Sequence, residues 1–516
     1  MSLAVVYTRA NCGLQAPLVT VETHLSNGLP GMAIVGLPET VVRESRERVR
    51  SAILNSGMTF PSRRITVNLA PAALPKSGGR FDLAIALGIL AASGQIPSQV
   101  LLQHEVLGEL ALTGELRPVD GVLPAVLAAR GDGRRLLIPV ANADEASLVR
   151  DVNAACAGDL LSICHSLQDQ GAGQRQTQLT PCRFREPPQQ QCENVETDMR
   201  DIQGHHTARR ALLIAAAGGH NVLLFGPPGI GKTLLVRAML GLLPPMSEDE
   251  ALEVAAIRSV AGMAQTATDW YRRPCRIPHH STTDVALVGG GRNGTPGEVS
   301  LAHRGVLFLD ELSEYNRVVL ESLREPLESG VMTVSRVHAR VSYPARFQLL
   351  AAMNPCPCGY ATDDGAPCRC TVPRILRYLD RLSGPLLDRL DMSISMRRPD
   401  THMESAPETD SGSLQETVAR CRQMQLLRGG LNCELGQGAL KRHCGLDTRT
   451  QQWFEQILQR RRLSVRAAHR LLRVARTIAD LDGDSSVTVN HLSEALAYRQ
   501  FDDYLDHLQQ CAAPVA

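Results

Sequence analysis

The segment NVLLFGPPGIGKTLLVRAML is the part of this 516-residue chain whose residue types and spacing point most directly to chemistry. Gly226, Pro227, Pro228, Gly229, Ile230, Gly231, Lys232 and Thr233 spell G-x-x-x-x-G-K-T, and Leu234 follows. An apolar run at 222–225 precedes the loop and a helical pattern at 234–240 follows it. Glycines let a backbone turn tightly enough for several N–H groups to converge on phosphate oxygens, and a helix starting there adds a favourable partial charge. Lys232 would reach the outer phosphates and Thr233 would hold Mg²⁺. A second apolar run, GVLFLDEL at 305–312, ends in two acids. Asp310 would emerge at the metal, and Glu311 would polarise a water for attack on the γ-phosphate. A third run, FQLLAAMNP, ends in Asn354, a polar strand tip able to orient that water. Together these residues imply hydrolysis of a nucleoside triphosphate.

Three further groups have chemical potential. Cys356, Cys358, Cys368 and Cys370 read C-x-C, a spacer, then C-x-C. Four thiolates would satisfy tetrahedral Zn²⁺, but ligands two apart in an extended segment point oppositely, so proline and glycine must turn the chain. Reduced thiols without metal are the alternative. VMTVSRVHARVSYPARF, residues 331–347, alternates as a β-hairpin does, and Arg336, His338 and Arg340 lie toward its tip with no acid among them. Such residues suit sequence-independent contacts to DNA phosphates; an ordinary surface hairpin is the alternative. The glycine-rich stretch 286–303 is a second segment with the composition of a projecting loop. Aromatics make up only 3% of the chain, so backbone tracking suits it better than base stacking. Finally, SGPLLDRLDM places Arg389 among acids, and LSVRAAHRLLRVARTIADL sets Arg466, Arg470, Arg473 and Arg476 along one helical stretch.

The elements that must position these groups are legible in outline. Hydrophobic residues are 44% and charged residues 21%, with a net charge of +1, which excludes a disordered chain, a collagen and a coiled-coil rod. The longest apolar stretch, 81–92, falls short of the ~20 residues a membrane helix needs. No basic segment followed by a long apolar one opens the chain, so the 14 cysteines suggest a reducing, cytoplasmic setting. Residues 1–170 alternate strand-like and helical runs and are expected to form a mixed α/β domain. Residues 171–197 have a Gln- and Pro-rich linker composition. Residues 198–398 are expected to form an α/β core with a parallel sheet, 399–413 a second linker, and 414–510 an all-helical domain. The fold class is thus α/β and multidomain.

The order GPPGIGKT, LFLDE, AAMNP, LLDRLD and SVRAAHRLLRVART resembles the AAA+ ATPases of the magnesium-chelatase-like clade. IVGLPETVVRESRERVRSAI, AAAGGHNVLLFGPPGIGKT, PHHSTTDVALVGGG, PGEVSLAHRGVLFLDEL and YPARFQLLAAMNPCPCG extend the resemblance, over nearly the whole chain, to the bacterial YifB/ComM family. The resemblance implies ATP as the nucleotide, a homo-hexameric ring and a DNA ligand, single-stranded and branched. It further implies helicase or branch-migration work in homologous recombination during natural transformation, alongside recombination proteins. It makes Asn354 the sensor-1 residue, Arg389 the arginine finger and Arg466 the sensor-2 arginine on a helical lid. A salt bridge from Arg389 to Asp388 or Asp391, and a solvated helix face for Arg466, are the plain alternatives. NLAPAALPKSGGRFDLAIALGIL and the segment beginning LTGELRPVDGVLP resemble the Lon protease domain. Arg80 falls where that family has its nucleophile and Leu123 where it has its lysine, which implies a non-catalytic Lon-like domain. A protein-remodelling or metal-chelatase-type motor of the same clade is the rival reading.

Overall fold

The computed structural model describes residues 3–36, 40–76, 78–172, 179–186, 197–202, 204–263, 269–291, 294–335, 340–363, 365–398 and 410–512. Five short strands form one sheet among them: β1 (Val222–Phe225), β2 (Cys275–Arg276), β3 (Val306–Leu309), β4 (Gln348–Met353) and β5 (Met392–Ser395). Every pairing is parallel and the spatial order is β2-β3-β4-β1-β5. Parallel strands need helical crossovers, which cover both faces, so such strands are apolar throughout rather than alternating. The residues of β1, β3 and β4 are buried without exception.

Successive side chains still divide between the two faces. Val222, Leu224, Val306, Phe308, Leu350 and Ala352 pack under helix His206–Gly218 and helix Lys232–Leu240. Leu223, Phe225, Leu307, Leu309, Leu349 and Ala351 pack against the opposite layer, which includes Leu312, Val319, Ile375 and Leu379. The region after residue 410 is helical, as its composition suggests. Asp410, Asp447 and Ser464 cap its helices Ser411–Leu427, Thr448–Arg460 and Val465–Asp482 by accepting backbone N–H bonds. These helices do not form a detached body. Leu471, Val474 and Ile478 join the first face's core, while Phe501 and Tyr504 of the last helix, Gln500–Ala512, meet the Phe225 ring at 5.3 and 5.8 Å on the second.

The amino-terminal region holds a mixed eight-stranded sheet among the described residues. Its centre is the antiparallel pairing of Leu3–Arg9 with Leu18–Ser26, and of the latter with Arg64–Ala70. Helix Asp82–Ala92 is buried along its whole length against this sheet. Gly88 permits the close approach: a Cβ there would lie 2.5 Å from Thr23 Oγ1. Thr180 and Pro181, inside the stretch with linker composition, add a two-residue strand to one edge. The two sheets are joined by helix Val122–Asp132 lying against helix Glu248–Val260. Gly121 N–H donates to Ser259 O at 2.9 Å, and Trp270 is buried between the layers. No helix among the described residues is long and apolar enough to cross a membrane.

Candidate nucleotide site and arginine cleft

The loop between β1 and helix Lys232–Leu240 lies at the carboxyl ends of the strands. Gly229 and Gly231 adopt φ of 74° and 90°, which a side chain would oppose, and Gly226 runs so close to Met396 that a Cβ would sit 2.5 Å from its carbonyl oxygen. Lys232 Nζ donates to Gly226 O at 2.7 Å, to Pro227 O at 2.9 Å and to Asn354 Oδ1 at 3.1 Å. Burial pushes the Lys232 ammonium down to about 8, against the pull of Asp310 and Glu311. Thr233 Oγ1 donates to Asp310 Oδ2 at 2.8 Å. A hydroxyl and a carboxylate oxygen side by side are the hard donors that Mg²⁺ selects, so this pair fits the ion. The arrangement brings Lys232, Thr233, Asp310 and Asn354 together, although 77 and 122 residues separate the partners.

Glu311 follows with a left-handed φ of 52°, unusual for a residue bearing a Cβ, and its N–H donates to Asp310 Oδ1 at 2.9 Å. Its carboxylate is exposed, and its Oε2 lies 3.2 Å from His280 Nδ1. His280 had no assigned role in the sequence reading; the adjacent histidines of PHHSTT were the signal available. Sequence reasoning also missed Glu328, and it placed Arg470 in the arginine series without giving it a partner.

Arg389 and Arg466 stand elsewhere. A cavity of about 1070 Å³ opens at the amino-terminal ends of the same sheet, where Asn221, Gly305 and Gln348 lead into β1, β3 and β4. Arg389, Arg466 and Arg470 face it. Eight arginines and five acids among the described residues line it, so it is net cationic. Arg389 pairs with Glu328, not with either neighbouring acid. Asp388 is taken by Arg470 at 3.0 Å, and Asp391 accepts from Asn221 N–H at 3.0 Å. Arg389 Nε is buried without a hydrogen-bond partner. Burial, followed by the charges of Arg466, Arg324 and Arg470, holds the Arg389 guanidinium below its ordinary range. Arg470 also donates to the carbonyls of Leu387 and Leu390, fixing the turn that carries Arg389. A strand of four residues spans roughly 13 Å, so these arginines and Lys232 occupy opposite ends of the sheet.

The four cysteines converge: their sulfurs lie within 4.8 Å of one another. Cys356 and Cys358 face the same way because Gly359, at φ 87°, closes a turn in which its N–H donates to Cys356 O at 2.9 Å. The expected hairpin exists as Val331–Ser335 paired antiparallel with Arg340–Pro344, with Arg340 exposed at the end of the ladder. Arg336 and His338 lie outside the described residues. In the amino-terminal region Lys76 is buried and donates to Gly36 O at 2.8 Å. Ser77 lies outside the described residues, and Arg80 and Leu123 are both buried.

Three family models match in succession: subunit ChlI of Mg-chelatase over residues 21–142, magnesium chelatase subunit ChlI over 198–404, and the ChlI C-terminal model over 408–499. The competence protein ComM of Haemophilus influenzae is 50% identical, covering 97% of this chain and 98% of its own length. The YifB protein of Escherichia coli is 46% identical, covering 99% of each. The magnesium-chelatase 38 kDa subunit of Cereibacter sphaeroides is 26% identical over 38% of this chain and 58% of its own. Similarity that runs from end to end at these identities, over a parallel sheet carrying a phosphate-type loop, shows that the chain belongs to the YifB/ComM family of magnesium-chelatase-like AAA+ proteins.

Proposed function

We propose that the chain is an Mg²⁺-dependent ATPase that works as a cytoplasmic ring of identical copies, six on the family pattern, and drives DNA strands during homologous recombination of incoming DNA. The observation that carries this reading is the separation of Lys232 from Arg389 and Arg466 at the two ends of one sheet. On this reading, the loop N–H groups and Lys232 hold the triphosphate, while Thr233 and Asp310 hold Mg²⁺. Glu311 takes a proton from the attacking water and Asn354 orients it. Arg389 and Arg466 reach the γ-phosphate of the adjoining copy. The charges of Arg466, Arg324 and Arg470 oppose that of Arg389, and an arriving phosphate relieves that repulsion. Supplying such a guanidinium in trans raises turnover by about 10³–10⁵.

The DNA part of the proposal draws on the competence protein that matches end to end and on the basic hairpin, of which Arg340 is the described member. Contacts of that kind weaken steeply with salt and little with base sequence. The amino-terminal unit is read as a non-catalytic Lon-like domain, since Arg80 and Leu123 stand where peptide hydrolysis needs a serine and a lysine. A metal-chelatase-type motor is the second reading, favoured by the three matching family models. Strand displacement on a three-stranded junction, with the wild type and Lys232→Ala, tests the proposal. Displacement by the wild type alone, with ATP turnover stimulated by DNA, is expected. Equal outcomes for both proteins contradict the motor, and turnover indifferent to DNA favours the second reading.

A further inference from the structure

The loop that follows Asn354 is tied into its surroundings at several points. Pro355 is the next residue, and its carbonyl accepts from Tyr504 Oη at 2.9 Å. Cys356 is fully buried. Gly359 presses on the phosphate loop so closely that a Cβ would stand 2.7 Å from Pro228 Cδ. Cys370 leads into helix Val372–Leu379, after which the chain runs on to Arg389. Residues 356–370 therefore connect the strand tip that holds Lys232 with the segment that carries the cleft arginine, and they touch the phosphate loop on the way.

Sulfur spacing identifies what closes this loop. Cys356 Sγ lies 3.3 Å from Cys358 Sγ and 3.7 Å from Cys368 Sγ, and Cys358 Sγ lies 3.6 Å from Cys368 Sγ. A disulfide needs about 2.0 Å. Four thiolates at about 2.3 Å from a tetrahedral Zn²⁺ sit about 3.8 Å apart. The observed separations are close to the second figure and far from the first. Cys370 N–H points to Cys368 Sγ at 3.4 Å, the kind of backbone donor that steadies a metal-bound thiolate.

We propose that Cys356, Cys358, Cys368 and Cys370 bind one Zn²⁺ per chain, and that this knot holds Asn354 and Pro228 in register with Lys232. Metal binding stands by itself, whereas the coupling to turnover rests on the ATP-site reading above. The knot ties both ends of the 15-residue stretch 356–370 to one ion. A displacement of about 1 Å at a catalytic group costs up to about 10²-fold in rate, so loss of the knot is felt at the phosphate loop.

The test begins with untagged full-length protein purified under reducing conditions. Elemental analysis should find one zinc per chain. Replacement by Co²⁺ should give the intense visible bands of a tetrahedral tetrathiolate. Cys368 is exposed, so Cys368→Ser is the variant least disruptive to folding; it should lose the zinc and the cobalt spectrum, and its ATP turnover should fall by about tenfold to a hundredfold. Pro367→Ala, at an exposed position of the same loop and with no sulfur ligand, should keep all three. Zinc near zero in the wild type overturns the metal site. One zinc per chain, with Cys368→Ser turning over ATP at the wild-type rate, overturns the coupling and leaves the motor reading intact. If the wild type binds zinc and gives the cobalt spectrum yet hydrolyses no ATP, the ATP-site reading fails while the metal site is upheld.

Discussion

The two ends of the five-stranded sheet are made differently. At the carboxyl ends, chemistry is carried by a few short motifs: a glycine loop with its lysine and threonine, and strand tips bearing Asp310 and Asn354. Each group there is satisfied by another. Lys232 has three oxygen partners and Thr233 has Asp310. At the amino-terminal ends, arginines from distant segments crowd one cavity. Arg389 has a buried nitrogen with no partner, and its charge is opposed by Arg466 and Arg470. One end is complete before a ligand arrives; the other keeps a net cationic cavity in which Arg389 retains a buried nitrogen without a partner. On the proposed reading an anion completes this cationic end, and the separation from Lys232 means that it is held by the loop of an adjoining copy.

Removing the cleft arginine gives the largest effect. Arg389→Ala should lower ATP turnover by about 10³–10⁵ while nucleotide binding to the isolated chain stays unchanged; equilibrium binding of a fluorescent ATP analogue alongside phosphate release checks both. A parallel loss of binding would place Arg389 at its own loop and dissolve the contrast. Next comes Glu311→Gln, which should keep binding and cost about 10²–10⁴ in turnover, the range for a removed general base.

A smaller effect follows from Lys232. The cation is the form that binds phosphate; it predominates below about 8 and is lost above it. Raising pH from 7 to 9 should therefore weaken nucleotide binding by about tenfold, and Lys232→Arg should remove that dependence. The smallest effect belongs to a control outside both ends. Arg461 and Asp503 form an exposed pair, so Arg461→Ala should change unfolding free energy by about 0–1 kcal/mol and leave turnover as it was.

How much of this the sequence reveals depends on distance along the chain. β1, β3 and β4 announce themselves because burial on both faces demands continuous apolar runs, and the loop because its glycines and lysine are contiguous; the edge strands β2 and β5 carry no such run. The pairing of Arg389 with Glu328, and of Arg470 with Asp388, is invisible from composition, since acids adjacent to Arg389 offer nearer candidates and only tertiary packing chooses between them. His280 meets Glu311 across 31 residues, and nothing in the spacing of two histidines specifies that contact. The Cys-x-Cys pairs were recognisable, but their convergence depends on the positive φ of Gly359, a backbone feature that residue order merely permits. The two-residue strand at Thr180 escaped because its pairing with Ala155 and Cys156 is set by the neighbouring edge and not by any period of its own.

The most direct test of the divided site is to mix two inactive proteins. Lys232→Ala lacks the loop's cation and keeps the cleft; Arg389→Ala keeps the loop and lacks the cleft's arginine. In randomly mixed rings, roughly a quarter of the seams join an intact loop to an intact cleft, because each seam is a heterologous contact between two copies. The account predicts that an equimolar mixture hydrolyses ATP well above the sum of the two variants measured alone. A mixture no more active than that sum would contradict it.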